Sequence, residues 1–166
     1  MTVDPSRFRS LMATFPTGVS IVTAAESSGR PWGMTCSSVC SVAVDPPTLL
    51  VCLRADSPTL DATLLQSVFA VNLLPERARR VAELFASGAT DRFERTRWEF
   101  GPRSGVPHLI ADAHAIADCR VSDTVKVGDH TVVFGEVFGV HEMTADPPDP
   151  LLYGLRGYSS WSGRRP

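Results

Sequence analysis

Apolar residues recur every three or four positions near the N-terminus and every second position beyond Gly18, the periods of a helix and of a half-buried strand. Asp4-Pro5 supplies a cap and first turn, and Phe8, Leu11, Met12 and Phe15 follow at helical spacing before Pro16. The result is a short amphipathic helix whose apolar face is expected to cover other apolar surface. Residues 19–23 read as a strand, 26–31 as a turn, and 32–36 as the return strand of a hairpin. Residues 39–44 alternate, Asp45-Pro46-Pro47 interrupts them, and 48–54 form a further strand. Ser57-Pro58 opens a second helix with Leu60, Leu64 and Leu65 expected on one face, and 69–74 is the next strand. Pro75 starts a third helix carrying Ala78, Val81, Ala82 and Phe85, with Gly88 as its stop. Residues 90–104 show no period and read as an irregular or partly helical loop.

The cleanest β pattern comes last. Ala113, Ala115, Ala117, Cys119, Val121 and Val125 alternate with His114, Asp118, Arg120, Ser122, Thr124 and Lys126, and Gly128-Asp129 supplies a hairpin turn. The return strand, 130–142, is apolar on both faces, with Val132, Phe134 and Phe138 against Val133 and Val137, so both sides are expected to be covered. Many antiparallel strands with only a few short helices imply a mainly β fold, and closure into a β-barrel removes exposed edges. No repeat or linker divides the sequence, so residues 1–166 read as a single domain ending in a short polar tail at 162–166.

Charge and composition narrow the function. A net charge of −2 leaves no basic excess for binding nucleic acid. The longest apolar runs, such as Leu49-Leu50-Val51-Cys52-Leu53, fall far short of the ~20 residues that span a bilayer. Asp4 stands where a signal peptide carries basic residues, so a cytoplasmic location is expected. Cys36, Cys40, Cys52 and Cys119 form no CxxC pair and read as small buried residues. His108, His114, His130 and His141 lack ligand spacing, so no metal site is indicated; they read as solvated strand residues, with His114 and His141 able to meet across paired strands.

Sequence signatures for phosphate loops, dinucleotide folds, zinc proteases and serine hydrolases are missing. Two segments carry candidate chemistry. Thr35, Ser37 and Ser38 place hydroxyls and backbone N–H groups between two apolar strands, suited to the edge of a flat heterocycle. Ser57-Pro58-Thr59 opens a helix, where free N–H groups and the positive dipole end attract an anion.

Taken in order, MTCSSVCSVAVDPPTLLVCL, SPTL, FAVNLL, LFASGATDRF, VGDHTVVFGEV and LLYGLRGY resemble the short-chain NAD(P)H:flavin reductases. These are the reductase components of two-component flavin-dependent monooxygenases. The resemblance runs from about residue 8 to residue 158. It implies a flavin-binding split β-barrel of Greek-key type, a homodimer, and hydride transfer from NADH, or less readily NADPH, to FAD or FMN, with FAD favoured. The reduced flavin would pass to a partner monooxygenase. By motif, Thr35, Cys36, Ser37 and Ser38, with Cys52 of the same segment, would contact the isoalloxazine. Ser57, Pro58 and Thr59 would face the ribityl phosphate, and Asp91, Arg92 and Phe93 the distal phosphate or adenine. His130, Arg156 and Tyr158 would lie on the nicotinamide side, His130 being the candidate catalytic residue. The missing triad agrees with this, since hydride transfer between stacked rings needs orientation more than an acid or nucleophile. The rival readings are a non-catalytic flavin- or haem-binding split barrel, and a related oxidase or deazaflavin-dependent reductase that keeps its cofactor.

Overall fold

The computed structural model describes residues 2–144 and 148–161; Met1, 145–147 and the polar tail at 162–166 lie outside the described residues. In chain order the elements are α1 (Pro5–Ala13), β1 (Thr17–Gly18), β2 (Ser20–Ala25), β3 (Pro31–Cys36), β4 (Val39–Val44) and β5 (Pro47–Arg54). Then come α2 (Pro58–Gln66), β6 (Val68–Leu73), a 3₁₀ turn at Glu76–Ala78, α3 (Arg79–Ala86), β7 (Glu99–Phe100) and β8 (Pro107–His108). The long hairpin of β9 (Ala115–Val127) and β10 (His130–Glu142) follows, and β11 (Leu151–Gly154) and β12 (Gly157–Ser160) close the described chain.

Seven strands form one sheet in the order β3-β2-β6-β9-β10-β5-β4, every neighbouring pair antiparallel. Its two edges, β3 and β4, are consecutive in sequence and joined only by Ser37 and Ser38. A flat sheet of that order would hold its edges roughly 29 Å apart, at about 4.8 Å per strand. The link from Cys36 to Val39 spans at most about 11 Å. The sheet must therefore roll until its edges approach, which gives a split β-barrel. In the linker, Ser38 continues the β4–β5 ladder, Cys52 N–H donating to its carbonyl at 3.3 Å and its Oγ donating to the Cys52 carbonyl at 3.2 Å, and Cys36 Sγ at the end of β3 reaches the same carbonyl at 3.8 Å.

The barrel interior holds Val22, Cys36, Val51, Leu53, Phe69, Val71, Cys119 and Val133, with Leu60 of α2. Each large side chain buried here contributes about 1.5–3 kcal/mol. Gly135 makes room for Phe69, since a Cβ there would fall 2.5 Å from Phe69 Cζ. A second cluster joins Val19, Ile21, Leu74 and Leu109 to Ala82 and Phe85 of α3. Buried Asn72 ties β2 to the segment after β8: its Nδ2 donates to the Ile21 carbonyl and Thr23 Oγ1 at 3.0 Å, and its Oδ1 accepts from Leu109 N–H at 2.9 Å.

Several sequence expectations are corrected. In α2, Leu60 is buried, but Leu64 and Leu65 are 43% and 70% exposed. The face turned inward is instead Thr59, Leu60, Ala62 and Thr63, whose small side chains admit close packing on β2. Thr63 Oγ1 donates to the Thr59 carbonyl at 2.8 Å, which satisfies its buried hydroxyl. The first helix forms with Asp4 as its cap, yet Phe8, Leu11, Met12 and Phe15 are all exposed, so within one chain its apolar face covers nothing. The third helix begins at Arg79 after the 3₁₀ turn instead of at Pro75. Along β10, Thr131, Val133 and Gly135 are buried while Val132 and Phe134 are half-covered, so only one side is packed. Residues 90–104 are mostly turns, with β7 pairing β8 within and beyond them. Of the cysteines, only Cys36 and Cys119 are buried; all four are free thiols.

Candidate functional site

Ser57 ends the extended segment after β5 and caps α2: Leu60 N–H donates to its Oγ at 3.2 Å, and Pro58 sits in the first turn. The N-terminus of α2 thus opens beside the barrel seam, with Thr59 buried behind it. A cavity of about 450 Å³ lies here, lined by Thr35, Ser57, Pro58, Thr59 and Arg92 among the residues expected from sequence. Arg30, Trp32, Met34, Arg54, Phe85 and Ala86 are among its other walls. Three guanidiniums and a helix N-terminus therefore face one cavity, and no carboxylate is among its lining residues. In a chain of net charge −2, that concentration of positive charge marks an anion site.

The arginines are not equivalent. Arg54 is exposed and pairs with Asp56 at 2.9 Å, which offsets part of its charge. Arg30 lies over the Trp32 ring at 4.5 Å, and Trp32 Nε1 donates to Glu26 Oε1 at 2.6 Å, giving a braced planar platform. Arg92 is half-buried over the Phe85 ring at 5.9 Å, and burial lowers its proton affinity, so an anion brought to it would be stabilised most.

A second cavity of about 200 Å³ shares Thr35 and Ala86 with the first and adds Val19, Ser37, Tyr153 and Tyr158. Burial raises the Tyr158 phenol above its ordinary value, helped by Glu83 and Tyr153, so it remains a neutral donor. Tyr153 stacks edge-on against it at 5.1 Å. The two cavities form one elongated site along the seam, with Thr35 at the junction. Thr35 Oγ1 donates to the Ala82 carbonyl at 2.7 Å, which fixes α3 as a wall and commits that hydroxyl to the fold.

Other expected residues stand behind or beside the site. Cys36 is buried in the barrel core; burial pushes its thiol up, and its Sγ meets Ser38 Oγ at 3.3 Å. Ser38 and Cys52 pair with each other where the linker continues the β4–β5 ladder. Phe93 is buried edge-on to Phe85 at 5.1 Å and supports the wall. Asp91 is exposed and faces Arg95 at 3.8 Å. His130 lies at the start of β10 with its Nδ1 2.9 Å from Asp129 Oδ1, and its strand register sets it opposite Arg54. Arg156 occupies the β11–β12 turn in a left-handed conformation, φ 61°, exposed and one residue from Gly157.

Arg30, Arg54 and Trp32 escaped the sequence reading. Arg54 is three residues before the cap serine, so a cation next to a helix N-terminus was the available signal. Arg30 and Trp32 join the site only through the roll of the sheet. The histidines also differ from expectation. His108 is buried and, with His141, flanks Asp118, while His141 and His114 do not pair as side chains. His114 Nδ1 is buried without a partner.

A family model described as "Flavin reductase like domain" matches residues 12–162. Flavin reductase (NADPH) of Lentzea aerocolonigenes is 49% identical over 160 residues, covering 96% of this chain and 92% of that protein. The solved NADH:FAD oxidoreductase of Streptomyces globisporus C-1027, in complex with NAD and FAD fragments, superposes with a TM-score of 0.87 at 31% identity, over 98% of this chain and 97% of that one. The styrene monooxygenase flavin reductase of Pseudomonas putida S12 gives a TM-score of 0.83 at 30% identity, over 95% and 99%.

Proposed function

The chain belongs to the flavin reductase-like family, and from that premise we propose that it is an NAD(P)H:flavin oxidoreductase that supplies reduced flavin to a separate monooxygenase. The observation that carries the assignment is the seam site itself. Its phosphate end is built from the α2 N-terminus with Arg30, Arg54 and Arg92, and it continues into a hydroxyl-bearing, partly aromatic pocket at Ser37, Tyr153 and Tyr158. These residues fit a flavin: cations for its phosphate, apolar walls at Met34 and Phe85 for its rings, and hydroxyls for its edge. The bound cofactors supply the chemistry, a hydride passing from dihydronicotinamide to isoalloxazine.

The protein's part is binding and orientation. Arg92 and the Ser57-Pro58-Thr59 turn anchor the phosphate, and Ser37 and the backbone near it meet the ring edge. Phe85, held by Phe93, and Ala86 exclude water from one side. Tyr158 and Arg156 receive the nicotinamide cofactor; His130 lines neither cavity and lies opposite Arg54, on the phosphate side of the site. FAD is favoured over FMN because the braced Trp32–Arg30 platform suits an adenine beyond the phosphates. The hydride donor is NADH or NADPH: beside the hydroxyls of the smaller cavity, the Arg79 guanidinium lies over the Tyr158 ring at 5.5 Å.

The working unit in this reading is a homodimer. Phe8, Leu11 and Met12 of α1, with Phe15 just beyond it, form an uncovered apolar face, and β4 is an exposed edge, surfaces that a second copy would bury. Light scattering would return twice the 17.9 kDa chain mass; the chain mass itself would reject the dimer. A cytoplasmic setting belongs to the same reading, and among the described residues no helix is long and apolar enough to cross a membrane. Anaerobic mixing of NADH, FAD and protein tests the reaction directly. Bleaching of the flavin at a rate proportional to protein is expected, and a rate independent of protein contradicts the proposal.

A further inference from the structure

Away from the seam, three strands deliver a second cluster. His108 ends β8, Asp118 lies in β9 and His141 in β10, and their ligand atoms all lie within 4.8 Å of one another. His108 Nε2 is 2.7 Å from Asp118 Oδ1, and His141 Nε2 is 2.9 Å from Asp118 Oδ2. The Asp118 side chain is 0% exposed, that of His108 5% and that of His141 29%. None of the three lines either seam cavity.

Two glycines keep the space around these atoms clear. A Cβ on Gly101 would fall 2.4 Å from His108 Nε2, and one on Gly139 would lie 3.2 Å from Asp118 Oδ2 and 3.5 Å from His141 Nε2. Ser104 Oγ stands 3.4 Å from His108 Nε2 and also lines a small cavity with Glu26 and Gln66, which gives a polar approach. Two imidazole nitrogens of the same type, one carboxylate and a hydroxyl thus converge from separate elements in a low-dielectric interior. That donor set is the one borderline-soft divalent ions select.

We propose that His108, Asp118 and His141 bind a divalent transition ion of the zinc class, with Ser104 or water as fourth ligand. Tetrahedral zinc, at ~2.0–2.2 Å from N and O ligands, needs about 3.3 Å between ligand atoms. The present 2.7 and 2.9 Å separations open to that by small side-chain rotations, for which the glycines leave room. Without metal, each Nε2–H donates to Asp118. Binding takes the proton off each Nε2 and gives that nitrogen's lone pair to the ion, the displaced proton going to Nδ1 or to solvent. The ion ties β8 to the β9–β10 hairpin, so its effect is on stability.

The test uses the tag-free full chain, stripped with a chelator and titrated with zinc chloride. One zinc per chain is expected, with Tm rising by roughly 5 °C or more at zinc a hundred times its Kd. Cobalt(II) in its place should give the visible absorption of a tetrahedral site. His141→Gln and Asp118→Asn should each weaken zinc at least ~10-fold. His141→Gln retains the Asp118–His108 pair, so it reports even if Asp118→Asn misfolds. No saturable uptake, or uptake unchanged in His141→Gln, overturns the proposal and leaves the cluster a hydrogen-bonded brace.

Discussion

Arg92→Ala separates phosphate recognition from ring recognition. Arg92 is the half-buried guanidinium of the seam cavity, and its position over Phe85 gives it two interactions to lose. A charge-assisted hydrogen bond to a phosphate contributes about 1.5–3 kcal/mol. The partly exposed cation–π contact with Phe85 contributes roughly 0.5–1 kcal/mol, to the fold more than to the ligand. A loss of about 2 kcal/mol in flavin binding corresponds to a roughly 30-fold rise in Kd for FMN and FAD. Riboflavin has no phosphate, so its Kd should rise by no more than about 5-fold, the share of the shifted wall. Arg92→Lys keeps a charge and loses the fork, so it should fall between. Quenching of flavin fluorescence, titrated with each of the three flavins, reads all these values, and a thermal melt reports the Phe85 contact separately. Equal weakening of riboflavin and FMN, or unchanged FMN affinity, would refute the placement of the phosphate at Arg92.

Ser57→Ala removes the α2 cap hydroxyl and a proposed flavin contact: denaturant unfolding should show a loss of about 1 kcal/mol, and FMN binding a further loss of about 1 kcal/mol. Unchanged flavin Kd alongside the stability loss would return Ser57 to a cap alone. Arg156→Ala should raise the KM for NADH with flavin affinity nearly constant; parallel loss of both would reject the division of the site. The His114 imidazole is held below its ordinary pKa by desolvation and by Arg77, so the folded state favours its neutral form. The stabilisation is complete above the unfolded value of about 6.5 and is lost as pH falls from there through the folded pKa. His114→Gln should flatten the fall in Tm on that acid side, and an unaltered pH profile would show that His114 does not contribute.

The strand pattern was readable wherever one face of a strand is packed and the other wet. The β9–β10 hairpin followed from its alternation and from Gly128-Asp129, and the α1 and α2 starts followed from Asp4 and Ser57, because caps and turns are local chemistry. Leu64 and Leu65 misled because helical spacing identifies a face without saying that small Thr59, Ala62 and Thr63 pack more closely against β2. The uncovered Phe8 and Leu11 had the right period for a helix, but periodicity does not say which chain they cover. Arg30, Arg54 and Arg92 are dispersed in sequence and meet only because the edges β3 and β4 are joined by two residues, forcing the sheet to roll. His108, Asp118 and His141 were hidden for the same reason: strand register across β8, β9 and β10 assembles them, and no spacing along the chain announces it.

The most direct test of the account is the loss of NADH absorbance in air with purified protein, comparing added FAD, added FMN and no flavin. The account predicts oxidation that saturates with added flavin, more readily with FAD, and falls to background without it. Tight binding of a flavin with no NADH or NADPH oxidation would contradict it, and would make the seam a carrier site instead of a reductase centre.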